Sequence, residues 1–188
     1  MNIKSISLLC VVGICVISIS CSGVRSTSKE RAVSSSQNET VEDQLRKLQD
    51  RVEIRQLLMD YGRFLDQRDF AAFSDLFAEQ EGEWIGGLGS AKGSRNIREL
   101  MERTIGTDSS MAEASNFHLF TNDMIRLDGD RAEATTKWIF VVRSEDGGPQ
   151  PVFLGHYEDT IVRENGRWRF LRRVVYGDLP ADSPLESD

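Results

Sequence analysis

The sequence predicts an α+β fold in which a strongly curved antiparallel sheet folds against N-terminal helices. Two observations carry this. Apolar residues recur at helical spacing through most of the stretch from Val41 to Ile105, and from Asn116 onward the period changes to two. The second half is also punctuated by two hairpin signals, Asp128-Gly129 and Asn165-Gly166. Helices followed by a run of hairpin-connected strands form α+β architecture, not alternating βα units.

The first helix begins at Val41. Leu45, Leu48 and Val52 share one of its faces, and Ile54, Leu57, Leu58, Tyr61 and Leu65 define another. The stripe shifts near Asp50, so a bend or two helical pieces are expected. The helix should be ending at Asp66, because Asp69 precedes FAAFSDLF, in which Phe70, Phe73 and Phe77 recur at helical spacing. Asp69 has the place of an N-cap, its carboxylate accepting from the free amides of that next helix. EGEWIGGLGS reads as a short strand around Trp84 running into a glycine-rich loop. A phosphate loop is excluded there: Ala91 replaces the glycine required before Lys92, and Gly93 replaces the hydroxyl residue that would hold magnesium. Ser94 then caps a short helix to Ile105, with Ile97, Leu100 and Met101 on one side.

Four strands follow, Asn116 to Leu127, Arg131 to Arg143, Val152 to Arg163, and Arg167 to Tyr176. On the second, Ala132, Ala134, Trp138, Phe140 and Val142 occupy alternate positions. A sheet curved in this way can enclose a cavity at one end, a natural ligand site.

Composition narrows the function. The 188 residues allow one domain of ordinary size with appendages. With 23 basic and 30 acidic side chains the formal charge is −7, and the basic residues are scattered. Even RWRFLRR is split between two faces by strand alternation. Nucleic-acid binding needs a concentrated positive surface, so it is not expected.

Residues 1–21 read as a targeting segment. Lys4 supplies a short positive region, and Ile6 to Ile19 is apolar except for small residues. That run is shorter than the roughly 20 residues of a spanning helix but suits a signal peptide. It ends in SISC, which resembles a bacterial lipobox, with Ser18 where an aliphatic residue is usual. The resemblance implies lipidation at Cys21 and a place at the bacterial cell envelope, anchored to the membrane; an ordinary cleaved signal and an uncleaved anchor are the alternatives. Cys10 and Cys15 would leave with the signal, so the mature domain lacks a disulfide, a thiolate zinc site and a cysteine nucleophile. Residues 22–40 form a serine-rich tether, the domain proper spans 41–180, and 181–188 is a flexible tail.

Two histidines are available for chemistry. His118 lies in NFHLFTND, where Asn116, His118, Phe120 and Asn122 share one face and Phe117, Leu119, Thr121 and Ile125 the other. Neither face is purely apolar, so alternation does not say where His118 points, and a half-buried structural histidine fits the spacing. His156 shares a face with Val152, Leu154 and Glu158; Tyr157, Asp159 and Ile161 face the other way, with Asp159 suited to a cross-strand pair with Arg172 or Arg173. No HxH or HxxxE spacing supports a metal site, and no nucleophile elbow supports serine chemistry. On an ideal helix Asp66 falls far from the apolar face of Ile54, Leu58, Tyr61 and Leu65. An inward Asp66 therefore requires the helix to end or tighten after Phe64.

Three segments, YGRFLDQRDFAAFSDLF, NFHLFTNDMIRLDGDRAEATTKW and GHYEDTIVRENGRWRFLRRVV, together resemble the SnoaL-like branch of the nuclear transport factor 2-like superfamily. That group includes scytalone dehydratase, ketosteroid isomerase and bile-acid dehydratases. The resemblance implies a cone, a curved sheet wrapped around helices with an apolar pocket inside. It maps the catalytic aspartate and histidine to Asp66 and His118, with Tyr61 as the pocket tyrosine. Trp84, Trp138, Phe140, Phe64 and His156 are the candidate substrate-binding residues, Trp138 and Phe140 being equally placed for an outer interface. RAEATTKWIFVVR shows no counterpart of the further acid or histidine that the dehydratases place there. The implied chemistry is cofactor-independent dehydration or isomerisation of a small hydrophobic polycyclic or aromatic substrate. Asp66 would act as acid and base, with His118 favouring its ionised form and Tyr61 donating to oxyanion charge. The alternatives are a binding protein for an apolar small molecule and a domain that pairs with a second copy.

Overall fold

The structure, a computed structural model, describes residues 39–106 and 116–180. The expected signal peptide with Cys21, nearly all of the tether and the 181–188 tail lie outside the described residues.

Helix α1 (Val41–Asp66) is continuous. Thr40 caps it reciprocally: its hydroxyl accepts from the Asp43 amide at 3.1 Å while the Asp43 carboxylate accepts from the Thr40 amide. Of the two outcomes expected at Asp50, division into two helical pieces does not occur. Asp50 is buried and accepts from Arg163 and from Trp168 Nε1, so an acid inside the apolar stripe is satisfied by side chains of the sheet. Leu45, Leu48 and Val52 stay exposed; the cap and intrahelical bonds hold that part of the helix. Ile54, Leu57, Leu58 and Tyr61 are buried.

The helix stops in a pair of backbone hydrogen bonds. The Asp69 amide donates to Phe64 O at 2.9 Å and the Arg68 amide to Leu65 O at 3.2 Å, with Arg68 in the left-handed conformation at φ +59°. Asp69 then caps α2 (Phe70–Ser74), accepting from the Ala72 amide at 3.0 Å. The glycine-rich stretch is a hairpin, β1 (Glu83–Gly86) and β2 (Gly89–Lys92), where a strand and loop were expected. Helix α3 (Ser94–Thr104) buries Ile97, Leu100 and Met101; its N-cap is Gly93 at φ +82°, so Ser94 is the first helical residue and not the cap.

Strands β3 (Phe117–Asp128), β4 (Arg131–Arg143), β5 (Pro149–Glu164) and β6 (Arg167–Leu179) form the expected meander. The complete sheet has the order β2-β1-β6-β5-β4-β3 and is open, curved and mixed, because β1 joins β6 in parallel. The expectation of an all-antiparallel sheet fails at this one ladder. Pairing between segments some ninety residues apart, Glu83 against Arg172, leaves no local turn signal to read.

Register shifts bend the sheet, at Thr121/Met124, Phe140/Val141, Leu154/Gly155 and Thr160/Ile161. The first of these, with Asn122 at φ +54°, moves Asp123, Ile125 and Leu127 onto the more buried face used by His118 and Phe120. Simple alternation had set Ile125 on the opposite face. At the third, Gly155 lies where a Cβ would strike the Tyr176 carbonyl and the Trp138 indole. The main core, with Phe73, Phe77, Ile161 and Phe170 at 0 % exposure, is bounded by α1, α2, α3 and the inner sheet face.

Candidate functional site

The end of α1, the β1–β2 hairpin and the inner face of β3 to β6 surround a cavity of about 270 Å³. Its walls are largely aromatic, from Trp84, Trp138, Phe140, Phe153, Tyr61 and Tyr157. The polar side chains reaching it include Asp66, Arg68, Asn116 and His118. A hollow elsewhere, beside Glu53, Asp60, Asp75 and Arg167, is bordered by charged residues and contains no histidine.

Asp66 is inward without the expected end or tightening after Phe64: α1 stays α-helical through Asp66, with the Gln67 amide donating to Arg63 O at 3.0 Å, and the carboxylate is drawn in by the strand opposite. Its carboxylate makes two bonds to one residue: Oδ2 accepts from the His118 amide at 2.9 Å and Oδ1 lies 2.6 Å from His118 Nδ1. Both side chains are largely enclosed, at 17 % and 13 % exposure. In the neutral tautomer that suits this contact, Nδ1 carries the proton toward the carboxylate and Nε2 carries the lone pair. No hydrogen bond engages Nε2 among the described residues. The ring itself packs on Phe140, with centroids 4.7 Å apart.

Tyr61 is 1 % exposed, and its hydroxyl accepts from Trp84 Nε1 at 2.9 Å. That bond uses an acceptor position and leaves the phenolic proton available. Burial pushes the Tyr61 phenol up, against the pull of the Arg173 guanidinium. Tyr157 is raised well above the ordinary range, first by burial and then by neighbouring Tyr61.

Beneath these rings sits a buried ion pair. Arg173 Nε and Nη2 donate to the two Asp159 oxygens, both at 2.7 Å, and the guanidinium lies 4.0–4.2 Å from the Tyr61, Tyr157 and Phe170 ring centroids. Burial pushes the Asp159 carboxyl up. It also works to lower Arg173, which Asp159 nonetheless holds above the ordinary arginine range. The bidentate geometry is that of an ionised pair.

Of the residues expected from sequence, Tyr61, Asp66, Trp84, His118, Trp138 and Phe140 meet at this cavity. Two do not. His156 projects from the other face of β5, since Gly155, Tyr157 and Asp159 take the inward positions; it bonds Asp178 at 2.8 Å and stacks on Tyr176. Phe64 does not line the cavity; it packs, half-buried, against the core with the Arg63 guanidinium over its ring. Sequence reasoning passed over Arg68, Asn116, Phe153 and Tyr157. Alternation with Asp159 could have found Phe153 and Tyr157, but nothing local announces the left-handed turn that sets Arg68. Among the described residues no group of three or more His, Cys, Asp or Glu side chains is placed to hold a metal ion.

The model of the SnoaL-like domain family matches residues 46–174. The chain belongs to the SnoaL-like family. The match takes in α1 from its second turn, the hairpin, and the sheet as far as β6, so every cavity residue but Val175 falls inside it. This SnoaL-like domain is 30% identical over 129 residues to Rv2910c, an uncharacterized protein of Mycobacterium tuberculosis, covering 68% of this chain and 84% of that one. Among solved structures it resembles a nuclear transport factor 2-like protein with a cystatin-like fold from Novosphingobium aromaticivorans. There the TM-score is 0.66 at 25% identity, over 76% of this chain and 93% of the other. A candidate scytalone dehydratase from the same organism matches at a TM-score of 0.57 and 21% identity, over 71% and 87% of the two chains. At that identity the likeness is one of fold.

Proposed function

We propose that this SnoaL-like domain is a cofactor-independent lyase or isomerase acting on a small ring-containing substrate, with His118 and Asp66 as its acid–base pair. The observation that supports this is the two-point contact of one carboxylate with His118 inside an aromatic-walled cavity. Because both Asp66 oxygens serve His118, the roles differ from those expected from sequence: His118 Nε2 is the base and Asp66 its orienting partner.

In a dehydration, Nε2 takes a proton from the carbon next to a carbonyl. The electron pair of that C–H bond forms the new double bond as the C–O bond of a neighbouring hydroxyl breaks. The proton on Nε2 passes to the departing oxygen, which leaves as water, and His118 returns to its neutral form. In an isomerisation the same proton returns to the far end of the enolate. Asp66 stabilises the imidazolium between the two transfers, and the Tyr61 hydroxyl donates to the oxyanion. Each positioned acid or base of this kind is worth roughly 10²–10⁴-fold.

The test is turnover of a panel of cyclic hydroxy-ketones and steroids by the wild type, His118→Gln and Asp66→Asn. Turnover of at least one member is expected, falling by about two orders of magnitude or more in each variant. Unchanged turnover in Asp66→Asn would exclude the pair. Binding of panel members without any turnover would favour a carrier for apolar molecules, for which the aromatic walls are equally suited. A lipid anchor at Cys21 would place either activity at the cell envelope.

A further inference from the structure

We propose that the ligand of this cavity carries a carboxylate, and that Arg68 is the residue that selects it. The inference rests on reading the cavity as a substrate site and adds the chemical class of the substrate. Four observations lead to it.

Arg68 occupies the left-handed position that ends α1, at φ +59°. Glycine takes that conformation without strain and is the usual residue there. An arginine at this point is explained by what its side chain reaches, and it reaches the cavity.

The guanidinium is under-used. Nη1 donates to the Ile105 carbonyl at 3.2 Å, while Nε is buried without a partner. No carboxylate lies within ion-pair distance of Arg68 among the described residues. Asp66 is close in sequence, but its oxygens are directed at His118. A guanidinium edge beside apolar walls with no carboxylate in contact is left short of acceptors, and an anionic ligand supplies them.

Asn116, at the entry to β3, lines the same cavity, and its Oδ1 is buried without a partner. Rotation of the amide exchanges its oxygen and nitrogen, so the side chain can equally present an N–H to a ligand oxygen. A guanidinium edge offers a planar carboxylate two parallel donors, and a small, largely aromatic cavity takes up a monoanionic carboxylate at a lower desolvation cost than a phosphate dianion.

The remaining wall sets the body of the ligand. A volume of about 270 Å³ lies at the small end for ligand sites, and Trp84, Trp138 and Phe140 offer ring faces. A one- or two-ring carboxylic acid fits both conditions.

The test compares 2-naphthoate with its neutral isostere 2-naphthamide, by calorimetry and by quenching of the cavity tryptophans. Wild type is expected to bind naphthoate roughly tenfold or more tightly than naphthamide. Arg68→Gln and Arg68→Gly should bring that ratio to about one. Because glycine relieves the left-handed backbone, Arg68→Gly should melt no lower than wild type, which separates lost recognition from lost folding. His156→Gln, on the opposite face of the sheet, should keep the preference for naphthoate, and the readout is binding alone, with no proton transfer in it. Failure of the acid–base reading in the turnover panel therefore leaves this result standing, and the converse holds too. Absent naphthoate binding, affinity for naphthoate no greater than for naphthamide, or a preference that survives Arg68→Gly would each overturn the proposal.

Discussion

Arg173 and Asp159 lie beneath the cavity with 1 % and 0 % of their side chains exposed, and each depends on the other for its charge. Removing one partner strands a buried ion, and such losses run to about 3–5 kcal/mol. Asp159→Ala should destabilise the domain by that order in urea denaturation. The double change Asp159→Leu with Arg173→Met removes both charges and should recover most of the loss, because apolar replacements of a buried pair are often close to neutral. A double variant as unstable as Asp159→Ala would mean that the stacking of Arg173 on Tyr61, Tyr157 and Phe170, not charge pairing, dominates there. At this scale the sequence was partly legible. Alternation on β5 and β6 offered Asp159 a cross-strand arginine but left Arg172 and Arg173 as equals. The bulge at Thr160/Ile161 decides between them by putting Arg173 opposite Asp159 on the buried face and leaving Arg172 beside Glu83 at the surface.

Elements were the easiest level to read and their irregularities the hardest. The hairpins at Asp128-Gly129 and Asn165-Gly166, the cap at Asp69 and the apolar faces of α1 and α3 all follow from short-range chemistry and stand where the sequence puts them. The β-bulges do not, since a bulge satisfies curvature that only the assembled sheet imposes. Gly155 is the clearest of these sites. It sits at a register shift, with the Tyr176 carbonyl and the Trp138 ring where a side chain would begin. Gly155→Ala should cost about 1–3 kcal/mol, the range for overpacking, read from the urea midpoint. It should also shift the Trp138 fluorescence, because the indole that must move forms a cavity wall. Wild-type stability and emission in that variant would show that the strand can slide to accept the methyl group.

For the whole molecule, the proposal of an envelope lipoprotein rests on SISC and the apolar run before it. Cys21→Ser should move the protein from the membrane fraction to the soluble fraction on cell fractionation; continued membrane association would exclude lipidation as the anchor. Charge and composition give only the expectation of no nucleic-acid binding, and the residues at Ala91 and Gly93 depart from a phosphate-loop pattern, both read without reference to any fold. The sequence by itself determined the α+β class, the run of elements except β2, and the family, because periodicity, caps and turn residues act within a few positions of one another. Tertiary structure alone decided that β1 adds to β6 in parallel, that Asp66 and His118 meet at 2.6 Å, and that His156 faces away. It also brought an otherwise anonymous Arg68 to the cavity. Those outcomes depend on contacts between residues tens of positions apart, on helix termination and on sheet bulges, where side-chain direction is set by the assembled neighbours and not by the local pattern.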